Sequence, residues 1–340
     1  MRTRQILCAS LLAMIFMGCC ACGQSAGTDE SASYNANLVT GGHDTQYTIS
    51  MAATADDLFF VREDQFCDYH IMTDETTVIG TVPFANSPGP LLISDGIVYY
   101  GDGTNLYAYN IVKQTFQNLF VYSQAGSGDI FGIEGTDLYD EDDYAPLPNT
   151  GSSYTEDICK ISLTTQERTV LKTVDNLSVP FLRSSVIYYS ENPKTLFAYH
   201  LLSGQTQALL NISQINQIFT FDNALCVCAR ANADHRLNLY RVNGDSLIPL
   251  APEATADLLG VAYAFPFNNH LYILGNVSGG SDLLDYNADT QQVTCYTKTD
   301  DGTSICVNDN LIFIAERYLQ NPSIRSIDQA QGVMRVIPMP

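Results

Sequence analysis

The sequence predicts an all-β fold, a seven-bladed β-propeller of four-stranded antiparallel blades. Three observations predict it: a short apolar strand recurs seven times after a polar turn, other short strands surround each copy, and helical patterns are almost absent. The recurring strands begin 39, 41, 48, 38, 46 and 41 residues apart, at Leu58, Ile97, Leu138, Val186, Ala224, His270 and Leu311. A unit that recurs at this near-constant length is typical of a propeller blade.

The turns and strands of each unit fit a blade. Residue pairs such as Asp95-Gly96 and Asn268-Asn269 tolerate the positive φ that tight hairpins require. The strands form continuous apolar runs, as expected for sheets that are covered on both faces. Four-stranded units account for the chain from Tyr47 onwards, so residues 47–340 are predicted to form one propeller domain. A pair of β-sandwiches is the alternative, but it does not explain the constant repeat.

The N-terminus has the pattern of a secretory signal peptide, because two arginines precede an apolar run, Ile6 to Met17, that is too short to span a bilayer. The Gly18-Cys19 step after it resembles the lipobox of bacterial lipoproteins. That resemblance implies that residues 1–18 are removed and that Cys19 is lipidated, with Cys22 as the alternative. Residues 19–46 then form the lipidated cysteine and a flexible linker. The expected location is the extracytoplasmic side of a bacterial cell membrane.

Charge narrows the choice of partners. The chain has 16 Lys and Arg against 37 Asp and Glu, a net charge of −21. Loss of residues 1–18 would remove Arg2 and Arg4 and no acid, giving −23. Nucleic acid is excluded as a partner, because its binding requires a basic face. Anionic head groups would also repel the domain, so the lipid must supply the membrane attachment.

Three repeats show a resemblance to a known family: LYAYNIVKQTFQNL from Leu106, ICKISLTTQERTVL from Ile158 and LFAYHLLSGQTQALL from Leu196. They resemble the blades of tyrosine-rich propeller lipoproteins of Gram-positive bacteria, which are related to YWTD and TolB-type blades. The resemblance covers residues 47–338 and implies a fold rather than an activity. The chain has no Trp, so the tryptophan signatures of WD repeats and quinoprotein blades are missing, and no cofactor is expected.

Ligands of propellers usually bind where the loops between blades, and between second and third strands, line one face. The longest such loop is expected at residues 140–155 and begins with four carboxylates. They predict either a calcium site, since calcium prefers oxygen ligands, or a solvated acidic loop, which we favour. These residues are Asp140, Glu141, Asp142 and Asp143.

Two further loops carry candidate ligand residues. The segment 230–236 would bind an anion or serve as a local charge balance, which we favour; it contains Arg230, Asp234, His235 and Arg236. The segment 275–282 is expected to be a flexible polar loop whose one reactive group is Asp282.

The histidines and cysteines give no metal or disulfide pattern. No two histidines have metal-ligand spacing, and His70 and His200 fall at the same position of their repeats. Six cysteines lie beyond the N-terminal segment, and we expect them to be buried free thiols. They are Cys67, Cys159, Cys226, Cys228, Cys295 and Cys306.

The sequence therefore predicts a monomeric, membrane-anchored binding or scaffold propeller that holds a protein, a peptide or an envelope polymer on its loop face. The alternative is a glycan-active hydrolase or lyase with acidic residues at the central face. An enzyme would require carboxylates or histidines of shifted pKa that converge there.

Overall fold

A computed structural model describes residues 50–62, 64–82, 90–122, 127–143, 155–192, 194–231, 236–278, 280–299, 302–316 and 323–338. In these residues, 28 strands form seven antiparallel sheets of four consecutive strands each. The first strand of every sheet contacts the first strands of two other sheets, and β1 contacts β25, so the seven sheets form a closed ring. The predicted seven-bladed propeller is confirmed.

The strands of blades 1 to 4 are β1 (Ser50–Ala53), β2 (Asp57–Arg62), β3 (Gln65–His70), β4 (Glu75–Thr81), β5 (Leu91–Ser94), β6 (Ile97–Gly101), β7 (Asn105–Asn110), β8 (Thr115–Val121), β9 (Ser127–Glu134), β10 (Asp137–Asp143), β11 (Thr155–Ser162), β12 (Arg168–Asp175), β13 (Leu177–Arg183), β14 (Val186–Glu191), β15 (Thr195–His200) and β16 (Gln205–Asn211). Those of blades 5 to 7 are β17 (Gln214–Phe221), β18 (Ala224–Arg230), β19 (Asn238–Asn243), β20 (Ser246–Pro249), β21 (Gly260–Phe267), β22 (His270–Val277), β23 (Gly280–Asn287), β24 (Gln292–Thr299), β25 (Gly302–Val307), β26 (Leu311–Glu316), β27 (Ser323–Asp328) and β28 (Met334–Val336). One short helix in the described residues, α1 (Pro252–Thr255), lies between blades 5 and 6.

The turns between first and second strands form as their sequences predict. Both central residues have positive φ in Asp95-Gly96 (49° and 70°), Ser184-Ser185 (47° and 60°) and Asp222-Asn223 (51° and 56°). Such turns match the right-handed twist of the two strands they join. The apolar strand is therefore placed directly beside the first strand of its own blade.

The hydrophobic core lies between the blades. Each blade packs one face against the preceding blade and the other against the following blade, which explains the continuous apolar runs. In blade 1, for example, Leu58 and Phe60 pack against Phe313 of blade 7. The next residue along, Phe59, packs against blade 2. Strand alternation therefore decides which interface each side chain enters.

The ring closes without exchange of a strand, since blades 1 and 7 each consist of consecutive strands. Side chains bridge the seam instead. Asn308 donates from Nδ2 to the carbonyl of Thr54 at 3.0 Å, and Gln329 donates to the carbonyl of Asn308 at 2.8 Å. Tyr272 of blade 6 in turn donates to Gln329 at 3.1 Å. A chain of hydrogen bonds thus runs from blade 6 through blade 7 to blade 1.

Two predicted loops are wrong in extent. Strand β10 continues to Asp143, and β11 begins at Thr155, so the acidic residues lie in a strand. Strand β22 likewise continues to Val277 and β23 begins at Gly280, which makes Asp282 a strand residue. Both corrections have the same cause: cross-strand pairing keeps polar residues in a strand when the partner strand extends beside them. The N-terminal segment, including Cys19 and Cys22, lies outside the described residues.

Candidate functional site

The two faces of the ring differ in construction. The turn face carries the hairpins that join first to second and third to fourth strands. Its hairpins connect neighbouring blades: the Glu134 carboxylate accepts bonds from the backbone N–H (2.8 Å) and hydroxyl (3.0 Å) of Ser185. Arg183 donates to the carbonyl of Asn223 at 3.3 Å. The loop face, at the opposite ends of the strands, carries the connections between second and third strands and between blades.

Asp140 is a buried structural carboxylate. Its side chain is 0% exposed, and Arg168, itself 16% exposed, donates from Nε to its Oδ2 at 3.2 Å. The Arg168 guanidinium also lies 5.3 Å from the centre of the Tyr122 ring, a cation–π distance. Burial raises the pKa of Tyr122 well above its ordinary value. Asp140 therefore helps to join blades 2 and 3, which corrects the prediction of a solvated loop at this position.

The four carboxylates of this run do not share one surface. Asp140 and Glu141 are consecutive in β10, so their side chains project to opposite faces of the sheet. Asp142 and Asp143 continue the same strand. Across the described part of the chain, no group of three or more His, Cys, Asp and Glu is arranged to hold a metal ion.

The segment 230–236, predicted to bind an anion or to serve as a local charge balance, is only partly described. Arg230 is the last residue of β18, and the exposed Arg236 precedes β19; Asp234 and His235 lie outside the described residues. The Nε of Arg230 is buried and has no hydrogen-bond partner within the residues that the structure describes. The Ser213 hydroxyl donates to the Arg230 carbonyl, which holds the end of β18 beside the start of β17.

Asp282 faces the same space as Arg230. Its neighbour at the alternate position of β23, Leu284, packs in the core between blades 5 and 6, as does Cys228 of β18. Because strand residues two apart share a face, Asp282 and Arg230 project into that interface from opposite sides, at its loop-face end. The Oδ1 atom of Asp282 is also buried, and no described residue forms a hydrogen bond with it. Sequence alone did not place these residues together, because only the packing of the blades does so.

The connection between blades 5 and 6 borders this space with an apolar side chain. The connection between blades 5 and 6 contains α1, and its Leu258 packs on Gly275, the cross-strand partner of Asp282. A Cβ on Gly275 would lie 2.3 Å from Leu258 Cδ1, so only glycine leaves room for the leucine. The glycine that sequence analysis assigned to a flexible loop therefore serves close packing.

The three histidines of the described residues, His70, His200 and His270, lie at the turn face. His70 and His200 end the third strands of blades 1 and 4, each opposite the first residue of the second strand, as the repeat predicted. The Nδ1 of His70 lies 2.7 Å from Oδ1 of Asp57, and this hydrogen bond raises the His70 pKa. Asp68 shares that face of the blade; burial, followed by the nearby Asp57 charge, raises its pKa to about 6.

A similar arrangement occurs in blade 6. Asp285 lies 2.8 Å from Nδ1 of His270, while Asn287 lies 3.1 Å from its Nε2. Neither Asp–His pair was predicted from the sequence. For blade 1 the available signal was the position in the repeat: Asp57 begins the second strand and His70 ends the third, so the two residues lie opposite each other on one face.

All six described cysteines are free thiols, as expected. Five are buried, and Cys295 on the outer strand β24 is exposed, which corrects the prediction that all six are buried. Burial raises the pKa to about 12 for Cys67, Cys226, Cys228 and Cys306. Such thiols are poor nucleophiles, because the thiolate is the reactive form. In the described portion of the chain, no helix has the length and hydrophobicity needed to cross a bilayer.

Comparison with known proteins supports the fold and does not identify a family. No protein-family model and no curated protein matches the chain. Among solved structures, the chain is similar to an oligogalacturonate lyase from Vibrio parahaemolyticus (14% identity, TM-score 0.62), covering 85% of this chain and 92% of that one. It is also similar to an oligogalacturonate lyase in complex with manganese (12% identity, TM-score 0.59; 83% and 85% coverage).

A third similar structure is also a β-propeller. It is the β-propeller domain of the Trilobed protease from Pyrococcus furiosus, described as having an open velcro topology (10% identity, TM-score 0.60; 86% and 99% coverage). At these identities the similarity establishes a common fold. The class of protein is therefore an all-β, seven-bladed propeller.

Proposed function

We propose that this chain is a binding propeller, tethered to the outer side of a bacterial cell membrane through a lipid on Cys19, that holds its ligand on the loop face. One observation carries the proposal: charged atoms of Arg230 and Asp282 are buried at the loop face and have no hydrogen-bond partner among the described residues. Buried polar atoms are normally paired, so exceptions require an explanation, and a ligand supplies one.

The polar side chains of the turn face are less available to a ligand. Several of its polar side chains are already used between blades, as in the contacts of Glu134 with Ser185 and of Asn308 with Thr54. Displacement of those contacts by a ligand would weaken the ring. The loop face also carries the connection at residues 250–259, which is longer than the turn-face hairpins, whose strands are two to five residues apart.

Site-specific photocrosslinking on intact cells tests the binding face. A photoreactive residue is introduced at the exposed loop-face positions Glu253 and Asn276, and at the exposed turn-face positions Lys113 and Asp245 as matched controls. We expect adducts of defined mass from the loop-face positions alone. Adducts that form only from the turn face would refute the proposed site.

The lipid anchor is tested separately. Cys19→Ala is expected to move the protein from the membrane fraction to the medium, because the strongly acidic domain has little affinity of its own for anionic head groups. Cys22→Ala is the matched control and should leave the protein in the membrane. If Cys22→Ala alone releases it, the lipid is on Cys22.

A glycan-active lyase is the second candidate. The observation that favours it is length: the chain corresponds to nearly the whole of two oligogalacturonate lyases, 85% and 92% of their chains. In such a protein the propeller itself would carry the catalytic groups. Incubation with oligogalacturonate, with and without manganese, and detection of unsaturated products by ultraviolet absorbance tests this function; the binding proposal predicts no product.

A further inference from the structure

The interface between blades 5 and 6 receives one cationic and one anionic side chain at its loop-face end, and this end of the interface is called the crevice below. Arg230 enters it from β18 and Asp282 from β23, on the facing sides of the two blades. Both side chains are partly buried. Among the described residues there is no ion pair between them, and neither side chain has another hydrogen bond.

Burial of such groups costs free energy unless they are paired. The buried Asp140 shows the usual solution, because Arg168 forms an ion pair with it at 3.2 Å. Arg230 and Asp282 depart from this pattern at one and the same interface. A ligand that satisfies both would remove the cost.

The charges restrict the chemistry of that ligand. A purely anionic molecule would be attracted by Arg230 but repelled by Asp282, and also by a domain whose overall charge is strongly negative. A purely cationic molecule would be repelled by Arg230. A zwitterion satisfies both side chains, because a guanidinium pairs with a carboxylate in two parallel hydrogen bonds and a carboxylate accepts from an ammonium group.

We propose that the crevice between blades 5 and 6 binds a small zwitterion, an amino acid or a short peptide, with its carboxylate on Arg230 and its ammonium group on Asp282. This inference rests on the proposed binding function and names the ligand class for that face. Leu258 and Leu237, which pack in the core between blades 5 and 6, would border the apolar part of the ligand.

Isothermal titration of the detergent-solubilised full chain tests the inference. The probes are free L- and D-amino acids and glycyl dipeptides, followed by the C-terminal amide and the N-acetyl derivative of the tightest binder. We expect binding of at least one zwitterion, and at least a tenfold loss of affinity, about 1.4 kcal/mol, when either charged group is blocked. Equal binding of the blocked forms, or no binding by any probe, would overturn the proposal.

Two variants assign the charges. Arg230→Gln should weaken the parent zwitterion at least tenfold and leave the affinity of its amide unchanged, while Asp282→Asn should do the same with the N-acetyl form as the insensitive probe. Lys113→Gln and Asp245→Asn make the same charge changes at exposed turn-face positions and should have no effect. Sensitivity of the blocked probes to the corresponding variants would contradict the assignment.

Failure here is distinguishable from failure of the proposed function. If loop-face crosslinks form but no probe binds the crevice, the binding function stands and the ligand class is wrong. If zwitterions bind but the cellular adducts map to the turn face, the ligand class stands and the proposed binding face for the cellular partner is wrong.

Discussion

Gln217 offers the sharpest test of how the blades are joined. Its side chain is 3% exposed and forms two hydrogen bonds to one residue of the next blade. Nε2 donates to the Ala264 carbonyl at 2.7 Å, and Oε1 accepts from the Ala264 N–H at 3.0 Å. The amide thus takes the place of a neighbouring strand on the free edge of β21. A bulge in β17, where Asn216 is the extra residue, directs it there.

The expected cost of removing this amide follows from the two bonds. Gln217→Leu keeps a similar volume but leaves the N–H and C=O of Ala264 without these partners, and each buried unsatisfied group costs about 1–3 kcal/mol. We therefore expect the free energy of unfolding to fall by about 2–6 kcal/mol, a large part of the 5–15 kcal/mol typical of folded proteins. Urea denaturation monitored by circular dichroism measures it.

Two comparisons make the test specific. Gln214→Leu is the matched control in the same strand. The Gln214 amide donates to Asn216 and to no other described residue, so the change should cost less than about 1 kcal/mol. Gln217→Glu places a second acceptor against the Ala264 carbonyl, so the carboxyl pKa should rise and the variant should regain stability as the pH falls. A loss below about 1 kcal/mol for Gln217→Leu would refute the reasoning.

Three further predictions concern packing and titration. Asp68 has a folded-state pKa of about 6, above its unfolded value of about 4, so it stabilises the fold at low pH and this contribution is lost as the pH rises from about 4 to about 6. Asp68→Asn should therefore make the melting temperature less dependent on pH over that interval. An unchanged pH profile of the melting temperature would contradict the pKa shift. Gly275→Ala should destabilise the protein by about 1–3 kcal/mol, because the added methyl group would clash with Leu258. The double variant with Leu258→Ala should be less destabilised than the sum of the two single changes. Simple additivity in urea denaturation would show that the two residues do not interact. Among the six described cysteines, Cys295 alone should react with iodoacetamide in the folded protein, whereas the five buried thiols should react only after denaturation, as peptide mass spectrometry would show; labelling of a buried thiol at the rate of Cys295 would be inconsistent with the packing.

The architecture could be predicted because its determinants are local. A tight turn requires residues that tolerate positive φ, and Asp95-Gly96 or Asp222-Asn223 supply them directly before an apolar run. A sheet covered on both faces requires continuous apolar strands, and that pattern is also readable along the chain. Seven repeats of these two signals were enough to specify the blades and their number.

The environment of Asp140 could not be predicted in the same way. Its partner Arg168 is 28 residues away, on the far strand of the same blade, and the acidic run resembled a solvated loop. The register nevertheless contained a signal. Asp140 is two residues after Leu138, which packs in the core between blades 2 and 3, so a strand extended by one more pair places the carboxylate on the buried face.

The candidate ligand site depends on a further level of organisation. Each of Arg230 and Asp282 can be assigned to a strand from local pattern, but the space they share is defined by two blades whose residues are some 50 positions apart. Which face of a blade meets the next blade is set by the closure of the ring. A shift of one residue in strand register would move each side chain to the opposite face. Charge complementarity between blades is therefore a property of the assembled fold.

Closure of the ring shows the same dependence on side chains. Six of the seven blade interfaces are also joined by the continuing chain, whereas blades 7 and 1 are not consecutive and exchange no strand. Their interface shares a core that includes Phe60 and Phe313, yet apolar packing is non-directional and does not fix the alignment of the two blades. Hydrogen bonds do so, because their geometry is restrictive. Asn308 meets this need twice: Nδ2 bonds to Thr54 across the seam, while Oδ1 accepts from the backbone N–H of Leu311 at 2.8 Å and so orders its own turn. Asn308 thereby shapes the hairpin between β25 and β26 and also helps to align blade 7 with blade 1.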